Sequence, residues 1–177
     1  MTQVARHIVI TGLMGAGKTT IGQALAERTG RPWRDSDADI EAATGLTVRE
    51  LRDREGVDAM HAREASQLLD ALADPEPSVI SAAASIVDDA RCRAALAEPD
   101  VAAVWLHAAP DTLAERFESP DEHRPAYGES TAGFLADQAT RREPLAEAAG
   151  AHIVDTNGLT EPEVVARVLE VLASIEP

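Results

Sequence analysis

Lysine is almost missing from this 177-residue chain. Fifteen of its sixteen basic residues are arginine, and the one lysine is Lys18. Positive charge is scarce altogether: 31 acidic residues face 16 basic ones, for a net charge of −15. Such a surface repels polyphosphate backbones and anionic lipid, which excludes a nucleic-acid or membrane-surface partner. A small anionic ligand remains compatible, provided a pocket gathers the few cations. Cys92 is alone, so an internal disulfide and a cysteine-based zinc cage are both excluded. No stretch approaches the roughly 18–20 apolar residues of a spanning helix. The first ten residues reach Ile8 to Ile10 and then turn polar and glycine-rich, unlike a secretory leader. With 45% hydrophobic and 27% charged residues, the composition is that of one globular domain, expected to be monomeric and cytoplasmic.

Five apolar runs short enough for buried strands recur, at 7–11 (HIVIT), 32–35, 78–81, 101–107 (VAAVWLH) and 151–155. Helix-period sequence separates them, at 19–29 closed by Gly30, 57–73, 87–97, 110–117, 132–149 closed by Gly150, and 161–173. This alternation predicts an α/β fold, a parallel sheet with helices on both faces. The Pro/Gly-rich, charged segment 118–130 (ESPDEHRPAYGES) stands apart and reads as a mobile loop of lid length. There is no internal repeat and no linker.

Between the first strand and a helix, Gly12-Leu13-Met14-Gly15-Ala16-Gly17-Lys18-Thr19 matches G-x-x-x-x-G-K-[ST]. The glycines allow successive N–H groups to point into one concavity, and the positive end of the following helix adds its dipole. Gly12, Gly15, Ala16, Gly17, Lys18, Thr19 and Thr20 are therefore the expected nucleotide-binding residues. Lys18 would reach the β- and γ-phosphates of ATP, and the Thr19 hydroxyl would ligate Mg²⁺. A glycine turn that only starts a helix is the bland alternative, and the sole lysine falling on the motif position argues against it. GTPases need an N-K-x-D base-reading motif, which a chain with one lysine cannot supply. Motor and transporter ATPases are mostly larger, so the size favours a kinase of small molecules or nucleotides.

Asp35 and Asp37 follow the second strand, at the carboxyl edge where doubly wound folds bind ligands. On an extended stretch they would share a face, Asp35 toward Mg²⁺ and Asp37 toward an acceptor hydroxyl whose proton it could accept. A polar turn with Asp37 as a helix cap would use the same residues. At this point the chain resembles the shikimate kinase family over essentially its whole length. The similar segments are GLMGAGKTTIG, DSDADIE with the downstream TG…TVREL, RPAYG, RREPLAEAA and VDTNG.

The resemblance implies a five-stranded parallel sheet of phosphate-loop type in three layers, with an acceptor-binding helical region at about 37–73 and a lid at 118–130. It implies that Asp35 holds Mg²⁺ through water and that Asp37 grips and activates the acceptor hydroxyl. It further implies that Arg124 closes from the lid onto phosphates and acceptor, that Arg142 pairs with the acceptor carboxylate, and that the loop from Asp155 onward flanks adenine.

Two departures from the family pattern fall on the acceptor side. The family's F-R-x-x-E reads Met60-His61-Ala62-Arg63-Glu64, with His61 where a carboxylate-binding arginine is expected. Arg63 points to the opposite helix face, about 200° away. The family's glycine triplet reads Ala82-Ala83-Ala84, and alanine disfavours positive φ and adds a methyl at each position. Shikimate or a related polyhydroxylated metabolite is the expected acceptor. A different acceptor such as a sugar, sugar acid or nucleotide, or a chain that binds ATP without catalysis, stays open. His7, His107, His123 and His152 lack ligand spacing. Phe117 could stack on adenine or pack as a hinge, and Asp88 and Asp89 read as helix-start caps.

Overall fold

Six consecutive buried residues, His7–Gly12, belong in the middle of a sheet, because a parallel strand covered on both faces carries apolar side chains at every position. The computed structural model describes residues 6–118 and 131–175. β1 (His7–Gly12) is central, and β2 (Trp33–Asp35), β3 (Val79–Ser81), β4 (Val101–His107) and β5 (His152–Asp155) complete the sheet. All pairings are parallel, in the order β2-β3-β1-β4-β5. Parallel neighbours need long crossovers, and helices supply them. These are α1 (Lys18–Thr29), α2 (Ser36–Thr44), α3 (Val48–Glu55), α4 (Val57–Leu72), α5 (Ala90–Leu96), α6 (Pro110–Glu118), α7 (Thr131–Ala148) and α8 (Glu161–Ser174). The result is the expected three-layer α/β/α architecture. Ile10, Leu25, Leu68, Ile80 and Trp105 are among its largest sealed side chains.

Helix α1 is set hard against the sheet. A Cβ on Gly22 would lie 2.1 Å from Ser81 Oγ and 3.1 Å from Trp33 Nε1, so this mid-helix glycine exists for close packing. Ser81 Oγ accepts from Trp33 Nε1 (3.1 Å) and donates to the Lys18 carbonyl (2.9 Å). The first turn of α1 is thereby fixed to the carboxyl end of β3, beside β2, which is where the site forms.

Three expectations are refined. The segment expected as one helical region at 37–73 divides into α2, α3 and α4, broken at Gly45 (φ 71°) and Gly56 (φ 92°). The helix expected from residue 87 starts at Ala90, after a 3-10 turn over Ala84–Asp88. Asp89 alone caps α5, accepting from the amides of Arg91 and Cys92, whereas Asp88 turns away to α7. Residues 119–130, which carry most of the expected lid with His123 and Arg124, lie outside the described residues. No helix among the described residues is long and apolar enough to cross a membrane.

Candidate active site

The loop after β1 can only close because it contains glycine. A Cβ on Gly12 would stand 2.6 Å from the Leu106 carbonyl oxygen, and one on Gly15 would stand 2.5 Å from that of Leu113. Gly15 (φ 81°) and Gly17 (φ 89°) both take the left-handed backbone that L side chains avoid. Gly17 is the N-cap of α1 and has no side chain to occupy the first helical amides, which leaves that positive helix end facing a cavity. Lys18 curls back over the loop and donates to the carbonyls of Gly12 (2.9 Å) and Leu13 (3.1 Å). Gly15, Gly17, Lys18, Thr19 and Thr20 line the cavity, whereas Gly12 and Ala16 stand behind its wall.

Asp35 ends β2 and does two jobs. Its Oδ1 caps α2, accepting from the amides of Asp37 (3.0 Å) and Ala38 (3.3 Å). Its Oδ2 accepts from the Thr19 hydroxyl at 2.9 Å. The cap is therefore Asp35, and Asp37 is not on an extended strand but in the first turn of α2. Thr19 and Asp35 together present hard oxygen donors at one spot, and among the described residues no three His, Cys, Asp or Glu side chains are grouped so as to hold a metal ion by themselves. One hydroxyl and one carboxylate suit Mg²⁺, which keeps waters and phosphate oxygens as its other ligands.

The cavity measures about 1100 Å³ and runs from this loop to a wall built by α3, α4, α7 and the segment after β3. Val57, Met60, His61 and Glu64 all face it. Their spacing of 0, 3, 4 and 7 makes one helical stripe, so the sequence already held the signal that Glu64 belongs to the site. Arg63 is exposed, away from the cavity. Ala82, Ala83 and Ala84 line it with ordinary negative backbone angles, since no residue other than glycine among the described ones has positive φ. The alanine triplet is accommodated without strain. The Ala82 amide stays committed to the Ile10 carbonyl at 2.9 Å, and the Ala83 carbonyl accepts from Thr11. Arg142 reaches the same wall with 9% of its side chain exposed. Arg49, Arg52, Arg116, Ser85 and Asp88, which the sequence alone did not place in the site, complete it. Phe117 is buried at its α6 edge. The loop after β5 is pinned beside the end of β4, with Thr156 bonded to the His107 carbonyl and Asn157 to the Ala109 amide.

Burial and its neighbours tune this wall. Asp37 is reached from the cavity but enclosed by its walls, and desolvation and the Asp35 charge raise its pKa above the usual value, against a smaller pull from Lys18. His61 is pushed down, by desolvation and then by the Arg142 charge, which keeps its imidazole neutral at physiological pH. Glu64, only 5% exposed, is raised by desolvation from 4.5 to about 7, even though Ser85 donates to its Oε2. A carboxyl whose folded pKa lies above its unfolded one stabilises the fold fully below pH 4.5 and loses that stabilisation as pH rises through about 7. The difference corresponds to about 3 kcal/mol. Glu64→Gln should flatten this dependence and make the protein more stable than wild type at pH 8.5. Urea midpoints at pH 5 and 8.5 check it, and parallel slopes in the two proteins would count against it.

A glycine loop between β1 and α1, a lysine at the helix start and a hydroxyl–carboxylate pair beside it, all serving a cavity with a second polar wall, define a phosphate-loop kinase. The sequence profile described as shikimate kinase matches residues 14–173. Shikimate kinase of Symbiobacterium thermophilum is 36% identical over 169 residues, 94% of this chain and 95% of that protein. A structure of shikimate kinase from Acinetobacter baumannii in complex with shikimate superposes with TM-score 0.87 at 27% identity, covering 97% of this chain and 95% of that one. A gluconokinase from Sinorhizobium meliloti superposes with TM-score 0.70 at 25% identity, over 98% of this chain and 95% of that one. The chain belongs to the shikimate kinase family, and it is an ATP-dependent kinase that phosphorylates a hydroxyl group.

Proposed function

We propose that this kinase transfers the γ-phosphoryl of ATP to a hydroxyl of shikimate or a related small polyhydroxylated metabolite. The observation that carries the reading is convergence: Lys18, the Thr19–Asp35 pair and Asp37 open onto the same cavity as His61, Glu64 and Arg142. The loop amides and Lys18 cradle the phosphates, and Thr19 and Asp35 hold Mg²⁺, which when bound offsets phosphate charge. Asp37 orients the acceptor hydroxyl and accepts its proton. His61, Arg142 and the segment Ala82 to Ala84 contact the rest of the acceptor. Arg124, in the expected lid, closes over the transferring group and excludes water. A monomer acting in the cytoplasm completes the proposal.

A coupled assay of ADP release tests this, with Mg²⁺, ATP and a panel that includes shikimate, polyols and sugar acids. ADP release that rises with an acceptor is expected. Tight ATP binding with no response to any acceptor would overturn the reading and leave an ATP-binding protein without catalysis. His61 and the alanine triplet, where the family pattern has arginine and glycine, are the observations that favour testing beyond shikimate.

A further inference from the structure

Every guanidinium that α3 and α7 present to the acceptor wall already faces a carboxylate. Arg52 and Arg49 meet Asp53 at 3.2 and 3.9 Å, and Arg141 meets Asp88 at 3.7 Å while donating to Gln138. The pair at the centre is the tightest. Arg142 donates to Oδ2 of Asp88 through Nε (3.0 Å) and through Nη2 (2.7 Å). Those two nitrogens form the edge of the guanidinium that engages a carboxylate side-on. Asp88 arrives there from the far side of the wall, 54 residues away in sequence, and it lines the cavity with 32% of its side chain exposed. The neighbouring His61 is neutral, so it supplies one hydrogen-bond donor and one acceptor, the pattern of a hydroxyl partner, and no positive charge. An acceptor carboxylate entering this wall would meet Asp88, Asp37 and Asp58 with the Arg142 charge already matched.

We propose that Asp88 is a specificity-determining residue: by holding the side-on edge of Arg142 it weights the acceptor site toward uncharged polyols and against carboxylates. This rests on the reading of the cavity as the site of hydroxyl phosphorylation. The competing role for Asp88, a brace that aims Arg142 at an acceptor carboxylate, predicts the opposite sign on its removal.

The test compares matched acceptors that share a skeleton and differ in charge: shikimate with its methyl ester, and gluconate with glucitol. For wild type, kcat/KM should favour the uncharged member of a pair. Asp88→Asn should raise the ratio of kcat/KM for the acid to that for its uncharged partner roughly 10- to 100-fold, the effect expected of one released hydrogen bond to a charged group. Asp88→Glu retains the charge and should retain the wild-type preference. A fall in that ratio in Asp88→Asn, or equal changes in both members, overturns the proposal. So does a wild-type preference for the acid, which decides the matter even if Asp88→Asn fails to fold. If wild type binds ATP but turns over no member of either pair, the kinase reading falls and this inference with it.

Discussion

Lys18→Ala is expected to abolish turnover while leaving the fold intact. The ammonium sits at the first position of α1, over the glycine loop, and the proposed role there is to neutralise charge on the transferring phosphates. Removing a single preorganised donor to a developing negative charge costs roughly 10²–10³ in rate. Lys18 brings a full positive charge and several N–H groups to the same place, so a loss of roughly 10³-fold or more in kcat is expected. No other lysine exists in the chain to compensate. The bonds it makes to the Gly12 and Leu13 carbonyls are local to the loop, and the sheet contacts of α1 run through Gly22, Ser81 and Trp33 instead. The melting temperature should therefore stay near wild type. Steady-state kinetics with a parallel thermal melt check both halves, and activity within tenfold of wild type would remove Lys18 from the role assigned to it.

The same loop explains what could be read in advance. A phosphate loop is a local object: eight residues with fixed glycine positions between a buried strand and a helix, so sequence spacing determines it. The acceptor wall is not local. Arg142 and Asp88 meet across 54 residues, and nothing in either segment announces the other. Asp88 therefore read as a cap, although Asp89 beside it takes that task through the Arg91 and Cys92 amides. Helices α2 and α3 were not read as separate elements: only the family resemblance implied helix over 37–73, and the capping box of Thr47 and Glu50 was the plainest local signal that α3 starts there. Glu64 is intermediate: its stripe with Val57, Met60 and His61 is visible in sequence, but its upward titration comes from burial, which only the fold supplies. The charge expectation transferred well. Lys18, Arg49, Arg52, Arg116, Arg141 and Arg142 all line one cavity, so six of the sixteen basic residues of an acidic protein gather around one cleft. Asp35, Asp37, Asp58, Glu64 and Asp88 line it as well, so the pull on an anionic nucleotide is concentrated at the glycine-loop end, where Lys18 and the first amides of α1 sit.

Asp37→Asn should separate stability from catalysis. A positioned base contributes roughly 10²–10⁴ to rate, so kcat should fall by about that range, while ATP affinity, set by the loop and Lys18, changes only a few-fold. Stability should move the other way. The Asp37 carboxyl opens onto the cavity, yet the crowding of the cavity walls partly desolvates it and Asp35 stands beside it, so its pKa is raised above the ordinary value. Ionised Asp37 therefore costs stability at neutral pH, and that cost sets in as pH rises through the folded pKa. Asparagine has the same shape without the charge, so the variant should melt at the wild-type temperature or above it at pH 7.5, and the gap should shrink toward acid pH. A residue that merely held the fold together would lose stability along with activity. A gain in one against a collapse in the other is what a strained, working carboxylate produces, and calorimetric ATP titration beside kcat and thermal melts at two pH values measures all three. A variant with kcat within tenfold of wild type, or one that melts well below it at pH 7.5, would mean that Asp37 serves the structure of α2 and that another group takes the proton.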